Sequence, residues 1–257
     1  VIGMRIVRFR LDNQADIRAG LVEDDRIHEL AGDIFGPYEK TGRAFTLDQA
    51  VIQSPCRPSK IMALGLNYRD HAEEFGLDLP EEPLVFMKPA SAVIGPGETI
   101  VCPKMSRRVD YEAELAVVIG RRAKDVPRDR ALDYVLGYTC LNDVTARDLQ
   151  GKDGQWTRAK GFDTFCPIGP AVETDVDPSN LAVEAWLNGE KKQSSRTSNL
   201  VFGVPALIEF ISAVMTLEPG DVIATGTPSG VGPVSPGDEI EIRIESLGSL
   251  VNPVAAV

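Results

Sequence analysis

Histidine is almost missing from this chain. Its 257 residues include two, His28 and His71, so a three-histidine zinc site is excluded. Any metal site must be mostly carboxylate, which favours hard ions such as Mg²⁺ or Mn²⁺. Cysteine is sparse as well: Cys56, Cys102, Cys140 and Cys166 are scattered, with no C-x-x-C pair. They read as reduced thiols, and the chain as a cytoplasmic protein. Positive charge is short, with 27 Lys and Arg against 38 Asp and Glu, a net charge of −11. A phosphate backbone demands neutralising cations, so nucleic acid is disfavoured as a partner, and an anionic membrane surface equally so. Long apolar runs are missing too. The most apolar stretch, residues 201–217, contains Pro205 and Glu209 and is too short for a bilayer span. No G-x-G-x-x-G follows a strand and no P-loop lysine is present, which leaves nucleotide binding unsupported. No signal peptide, repeat or low-complexity tract is recognised. The opening Val1-Ile2-Gly3-Met4 suggests Met4 as the native start after a three-residue remnant.

What is present is an ordinary globular composition, 43% hydrophobic and 25% charged, which excludes disorder as the main state. The length suits one large domain, or one with a small appendage. Residues 4–55 read as a small N-terminal β-rich domain. Within it, Arg5-Ile6-Val7-Arg8-Phe9-Arg10 alternates like a half-buried strand, and residues 19–30 give two short strands around an acidic turn. Thr46-Leu47-Asp48-Gln49 fits a capping box, and Ser54-Pro55-Cys56-Arg57-Pro58 a connector. From residue 60 short apolar runs alternate with Gly- and Pro-rich turns, at 61–64, 84–87, 115–119, 135–141, 222–225 and 240–244. Helical patterns are few: 128–134, 144–150 and 205–215, with Pro205 in a first helical turn. The expected fold is mostly β with a few helices, an α+β chain whose larger domain spans 58–257.

Four constellations could carry chemistry. In Asp110-Tyr111-Glu112-Ala113-Glu114, Glu112 and Glu114 would share one strand face. Two buried carboxylates repel, and a divalent cation would relieve that; a solvated strand face is the plainer alternative. Asp143 closes the run before a helical pattern and could simply cap a helix. If 144–150 is helical, Arg147 and Gln150 fall at i+4 and i+7 from Asp143, and the three line one face. Asp143 would then be a third carboxylate ligand. In Asn67-Tyr68-Arg69-Asp70-His71-Ala72-Glu73-Glu74, His71 and Glu74 are i,i+3 neighbours on a helix. A carboxylate beside an imidazole makes a general base, or merely a surface ion pair. His28 lacks such a setting and reads as structural. In Thr225-Gly226-Thr227-Pro228-Ser229-Gly230-Val231-Gly232 the glycines let backbone N–H groups approach an anion, unless the segment is only a turn. Lys160 is a candidate cation for the same anion.

The blocks GLNYRDHAEE, FMKPASAVIGPGETI, DYEAELAVVIG, GYTCLNDVTARDLQ, WTRAKGFDTFCPIGP and LEPGDVIATGTPSGVGP follow one another between about residues 60 and 251. Together they resemble the fumarylacetoacetate hydrolase family. The resemblance implies a rolled β-sheet, a divalent metal on Glu112, Glu114 and Asp143, and a homodimer. It implies Lys160 as the active-site lysine, and Arg147, Gln150 and Thr227 as substrate contacts. It implies His71 and Glu74 as the dyad of members whose lid folds over the site. Asp110 shares the parity of Glu112 and fits behind the ligands. Nearest in character are acylpyruvate hydrolases, oxaloacetate decarboxylases and homoprotocatechuate-pathway isomerase/decarboxylases.

The expected function is therefore Mg²⁺- or Mn²⁺-dependent cleavage of the C3–C4 bond in short 2-oxo acids. Oxaloacetate decarboxylation ranks first and acylpyruvate or fumarylpyruvate hydrolysis second. Isomerisation of 2-hydroxyhepta-2,4-diene-1,7-dioate ranks third. In the first two an enolate would form beside the metal and Lys160, with His71 and Glu74 activating water for hydrolysis. A metal-binding interaction protein on the same fold is the non-catalytic alternative, disfavoured because every matched polar position is filled.

Overall fold

The computed structural model describes residues 3–12 and 14–257, so Val1 and Ile2 of the expected remnant lie outside the described residues. Its strands form three sheets. The largest has twelve strands, most of them in the order β4 (Tyr38–Thr46), β3 (Arg26–Gly32), β2 (Arg18–Glu23), β1 (Arg5–Leu11), β14 (Cys166–Glu173), β12 (Val135–Asn142), β11 (Ala113–Ile119), β17 (Val222–Ala224), β6 (Ile61–Gly65) and β7 (Leu84–Lys88). β5 (Ala50–Gln53) adds to β1, and β8 (Val93–Ile94) adds parallel to β14. A three-stranded sheet orders β13 (Thr145–Ala146), β10 (Val109–Tyr111) and β18 (Gly232–Val234). A five-stranded sheet orders β16 (Glu190–Arg196), β15 (Ala182–Leu187), β19 (Glu239–Ile244), β20 (Gly248–Ala256) and β9 (Ile100–Cys102). The α-helices are α1 (Arg69–Phe75), α2 (Arg147–Asp153), α3 (Thr157–Lys160) and α4 (Val204–Val214). The chain is mostly β with a few helices, the α+β class expected.

The apolar runs fall on β6, β7, β11, β12, β17 and β19. β11 shows why they are continuous: all seven of its residues are buried. Leu115, Val117 and Ile119 pack into one core cluster, and Ala116 and Val118 into another. A strand covered on both faces has no polar side to alternate with. β1 is covered only in part: Ile6, Val7 and Phe9 are buried, while Arg5 is exposed and Arg8 and Arg10 are half-buried. Val7 and Phe9 join one cluster and Ile6 another, as alternation along a strand requires, and β1 pairs with β2 and β5 and also with β14. The first strands therefore continue the large sheet.

The helices differ from the sequence expectation at 128–134 and at 144–150, and α3 has no counterpart in it. Arg128–Tyr134 is a 3₁₀ helix. α2 begins at Arg147, because Thr145 and Ala146 pair with Asp110 and Val109. Asp143 therefore caps no helix, and no helical face runs from it through Arg147 to Gln150. α4 carries Pro205 in its first turn, as the sequence suggests. Among the described residues no helix is long and apolar enough to cross a membrane.

Candidate active site and metal centre

Strand register assembles the acidic centre. β11 and β12 are antiparallel, with Ala113 opposite Asn142 and Glu114 opposite Leu141. One step further Glu112 meets Asp143, whose N–H donates to the Glu112 carbonyl oxygen at 2.9 Å. Glu112, Glu114 and Asp143 are all buried, and one carboxylate oxygen from each lies within 4.8 Å of the others. On the other side of β11, β17 ends just before Thr225 and Gly226. Gly226, at φ 100°, donates its N–H to Glu114 Oε2 at 2.8 Å. A Cβ there would lie 2.9 Å from the Asn67 Cβ, so only glycine fits this turn.

Three basic side chains reach these carboxylates. Lys160, at the end of α3 and 2% exposed, donates to Glu112 Oε2 at 2.8 Å and to Asp143 Oδ2 at 2.5 Å. Lys88, closing β7 and 1% exposed, donates to Asp143 Oδ1 at 2.5 Å and to the Val144 carbonyl at 3.2 Å. Arg147 donates to Glu112 Oε1 at 2.5 Å, to Asp110 Oδ2 at 2.9 Å and to Gln150 Oε1 at 2.6 Å. Burial alone would raise the Glu112 carboxyl, but Lys160 and Arg147 outweigh it and hold it at about 2. Burial would likewise lower the Lys160 ammonium, but Asp143 and Glu112 outweigh it and raise its pKa. Glu114 goes the other way. Burial first, then Asp143 and Glu112, push its carboxyl well above the usual range. That undercompensated charge, in a donor set made wholly of carboxylate oxygens, fits a hard divalent cation held by Glu112, Glu114 and Asp143.

His71 and Glu74 stand on α1, with His71 Nδ1 3.5 Å from Glu74 Oε2. Both Glu74 oxygens accept from the Gly230 N–H at 3.2 Å. The N–H groups of the glycine loop at Gly226 and Gly230 thus serve protein carboxylates, not the ligand anion expected from sequence. Burial lowers the His71 pKa against the opposing pull of Glu112 and Glu74, so the imidazole leans neutral. A cavity of 330 Å³ is lined by His71, Glu112, Arg147, Gln150, Lys160 and Thr227. Leu64, Phe86 and Trp156 give it an apolar wall, with the two rings edge to face at 5.2 Å. Glu74, Glu114 and Asp143 do not line it but touch or adjoin residues that do. His28 lies outside, on β3, 4.0 Å from Glu23.

Lys88, Asn67 and Gln193 also serve the site, and the sequence gives little sign of them. Lys88 ends an apolar run just before Pro89, which is its one signal. The Asn67 amide donates to the Thr225 carbonyl at 2.8 Å and the Phe202 carbonyl at 3.0 Å, joining the start of α1 to the glycine loop. Gln193 accepts from the Ala113 N–H and donates to Thr227 Oγ1, both at 2.9 Å, from within a polar strand that offers no local cue.

The family model described as fumarylacetoacetate (FAA) hydrolase C-terminal matches residues 60–255, and one described as Rv2993c-like, N-terminal, matches residues 4–55. A protein of Archaeoglobus fulgidus is 58% identical over 232 residues, 90% of this chain and 93% of its own length. The mitochondrial oxaloacetate tautomerase FAHD2A of Bos taurus is 47% identical over 210 residues, 77% of this chain and 67% of its own length. A 5-carboxymethyl-2-hydroxymuconate delta-isomerase structure from Mycobacterium smegmatis superposes with a TM-score of 0.93 at 46% identity, covering 99% of this chain and 100% of its own. A maleylpyruvate hydrolase from Sphingobium, solved with manganese(II) and pyruvate, superposes with a TM-score of 0.82 at 33% identity, covering 98% and 99%.

Proposed function

The chain belongs to the fumarylacetoacetate hydrolase family, and from that premise we propose that it is a metal-dependent enzyme interconverting the keto and enol forms of oxaloacetate. His71 carries this reading: it leans neutral, stands 3.5 Å from Glu74, and opens on the same cavity as Lys160 and Arg147. A neutral imidazole backed by a carboxylate is a base suited to a carbon acid. The likeness to an oxaloacetate tautomerase supports the choice of substrate.

Mg²⁺ or Mn²⁺ held by Glu112, Glu114 and Asp143 would supply Lewis-acid polarisation of the 2-oxo group. Arg147, Gln150 and Thr227 orient the substrate carboxylates. His71 Nε2 takes the C3 proton, since Nδ1 faces Glu74, and Glu74 steadies the imidazolium that forms. Lys160 stabilises the developing negative oxygen through its fixed positive charge. Leu64, Phe86 and Trp156 limit water around the enolate. Return of the proton to C3 gives the keto form, and protonation at the 2-oxygen gives the enol.

A second reading, decarboxylation, shares this enolate. If the C4 carboxylate leaves as CO₂, the pyruvate enolate remains and is protonated at C3. The buried Lys160 favours it equally, because it stabilises either enolate. The two separate in one experiment, in which the enol absorbance of oxaloacetate is followed and pyruvate is measured in the same sample. Fast enol loss without pyruvate supports tautomerisation. Stoichiometric pyruvate puts decarboxylation first. Neither change with Mg²⁺- or Mn²⁺-loaded protein sinks both.

A further inference from the structure

A second cavity, of 360 Å³, lies beside the connector and shares no lining residue with the first. Two guanidinium groups line it, from Arg8 on β1 and Arg57 in the connector. Arg8 is part-buried and donates one N–H to the Ser54 carbonyl at 2.9 Å. Among the described residues neither arginine forms an ion pair with a carboxylate. Glu98 lines the cavity too, but its carboxylate accepts from the Gly95 N–H. Burial, then the charge of Arg57, lowers the Arg8 pKa, so the two cations sense each other. Like charges gathered at one partly buried cavity repel unless an anion comes between them.

The walls narrow the class of anion. Ile17, Val93 and Ile94 line the same space, which suits a ligand with a hydrocarbon body. A guanidinium fork binds a carboxylate through two parallel N–H donors. We propose that this cavity binds a small organic carboxylate through Arg8 and Arg57, at a site separate from the catalytic one. The site goes beyond the proposed function and stands or falls independently of the reaction.

Equilibrium dialysis of the full chain with labelled succinate tests it, with the catalytic cavity saturated by Mg²⁺ and oxalate. One succinate should bind per chain, and Arg8→Met or Arg57→Met should weaken it at least tenfold. Because Arg57 is exposed, Arg57→Met keeps the test informative even if Arg8→Met fails to fold. Inorganic phosphate should compete weakly. No succinate bound to the oxalate-saturated protein, or binding indifferent to Arg57→Met, would overturn the site. Phosphate binding tenfold tighter than succinate would overturn the carboxylate assignment.

Discussion

Glu114 is buried beside two other carboxylates, and the Lys160 charge and then the Gly226 N–H are only partial counterweights. A carboxyl whose folded pKa is raised favours folding below its unfolded value and costs stability as pH rises through the folded one. At neutral pH, metal-free protein should therefore gain from Glu114→Gln, with Tm rising roughly 2–4 °C per kcal/mol of relieved repulsion. The same variant should lose the Tm increase that Mg²⁺ or Mn²⁺ gives the parent; a lower metal-free Tm would make Glu114 a structural group. Glu112 has the opposite sign: held at about 2, it adds stability that is present above the ordinary 4.5 and is lost as pH falls. Lys160→Met should lower kcat by on the order of 10²–10³. Metal affinity should not weaken, because Glu112 and Asp143 are left more negative; an unchanged kcat would return Lys160 to a packing role. His71 titrates below the ordinary 6.5, so kcat/KM should climb with pH on a limb below that value and then level off. His71→Ala should erase the limb and lower kcat by on the order of 10²–10⁴. Oxalate binding should survive, and loss of it would show that His71 positions substrate.

At the scale of elements, β6 ends at Gly65 against the indole of Trp156, and an added Cβ would lie 2.7 Å from a ring carbon. Gly65→Ala should cost about 1–3 kcal/mol through overpacking, and should raise KM because Trp156 is part of the cavity wall. An unchanged Tm and KM would show that the ring can move aside. The elements that sequence made legible are those specified locally. The His71–Glu74 pair follows from helix spacing, but Glu112 lies in the break between β10 and β11, so strand parity alone does not set it beside Glu114. Buried strands announced themselves as short apolar runs between glycines and prolines. Thr145 and Ala146 looked helical because their true partners, Val109 and Asp110, lie on a strand remote in sequence. Lys88 was hidden for the same reason. A lysine ending a strand is usually solvated, and only the path of the chain after β7 lays it on Asp143. The loop glycines suggest a ligand anion, but their N–H groups at Gly226 and Gly230 meet Glu114 and Glu74, and nothing local could name those carboxylates.

At the scale of the whole molecule, one sheet joins the first strands to the catalytic body, with Arg5 and Ile6 paired to Glu173 and Val172. Removing residues 4–55 would strip that end of β14 of its partner and uncover Ile168 and Val172, which pack in the same cluster as Ile6 and Leu21. An apolar edge strand is a template for association. The truncated chain should therefore aggregate on gel filtration; a monodisperse and active fragment would show that the larger part stands alone. The glycine loop imposes a constraint of a different kind. Gly226 anchors Glu114 and Gly230 anchors Glu74, so the backbone between them is a spacer of fixed length. Adding or removing one residue there would let only one of the two carboxylates dock. Over the family's descent, insertions and deletions should accumulate in turns such as Asn188-Gly189 and be eliminated between 226 and 230, whatever reaction each lineage has come to perform.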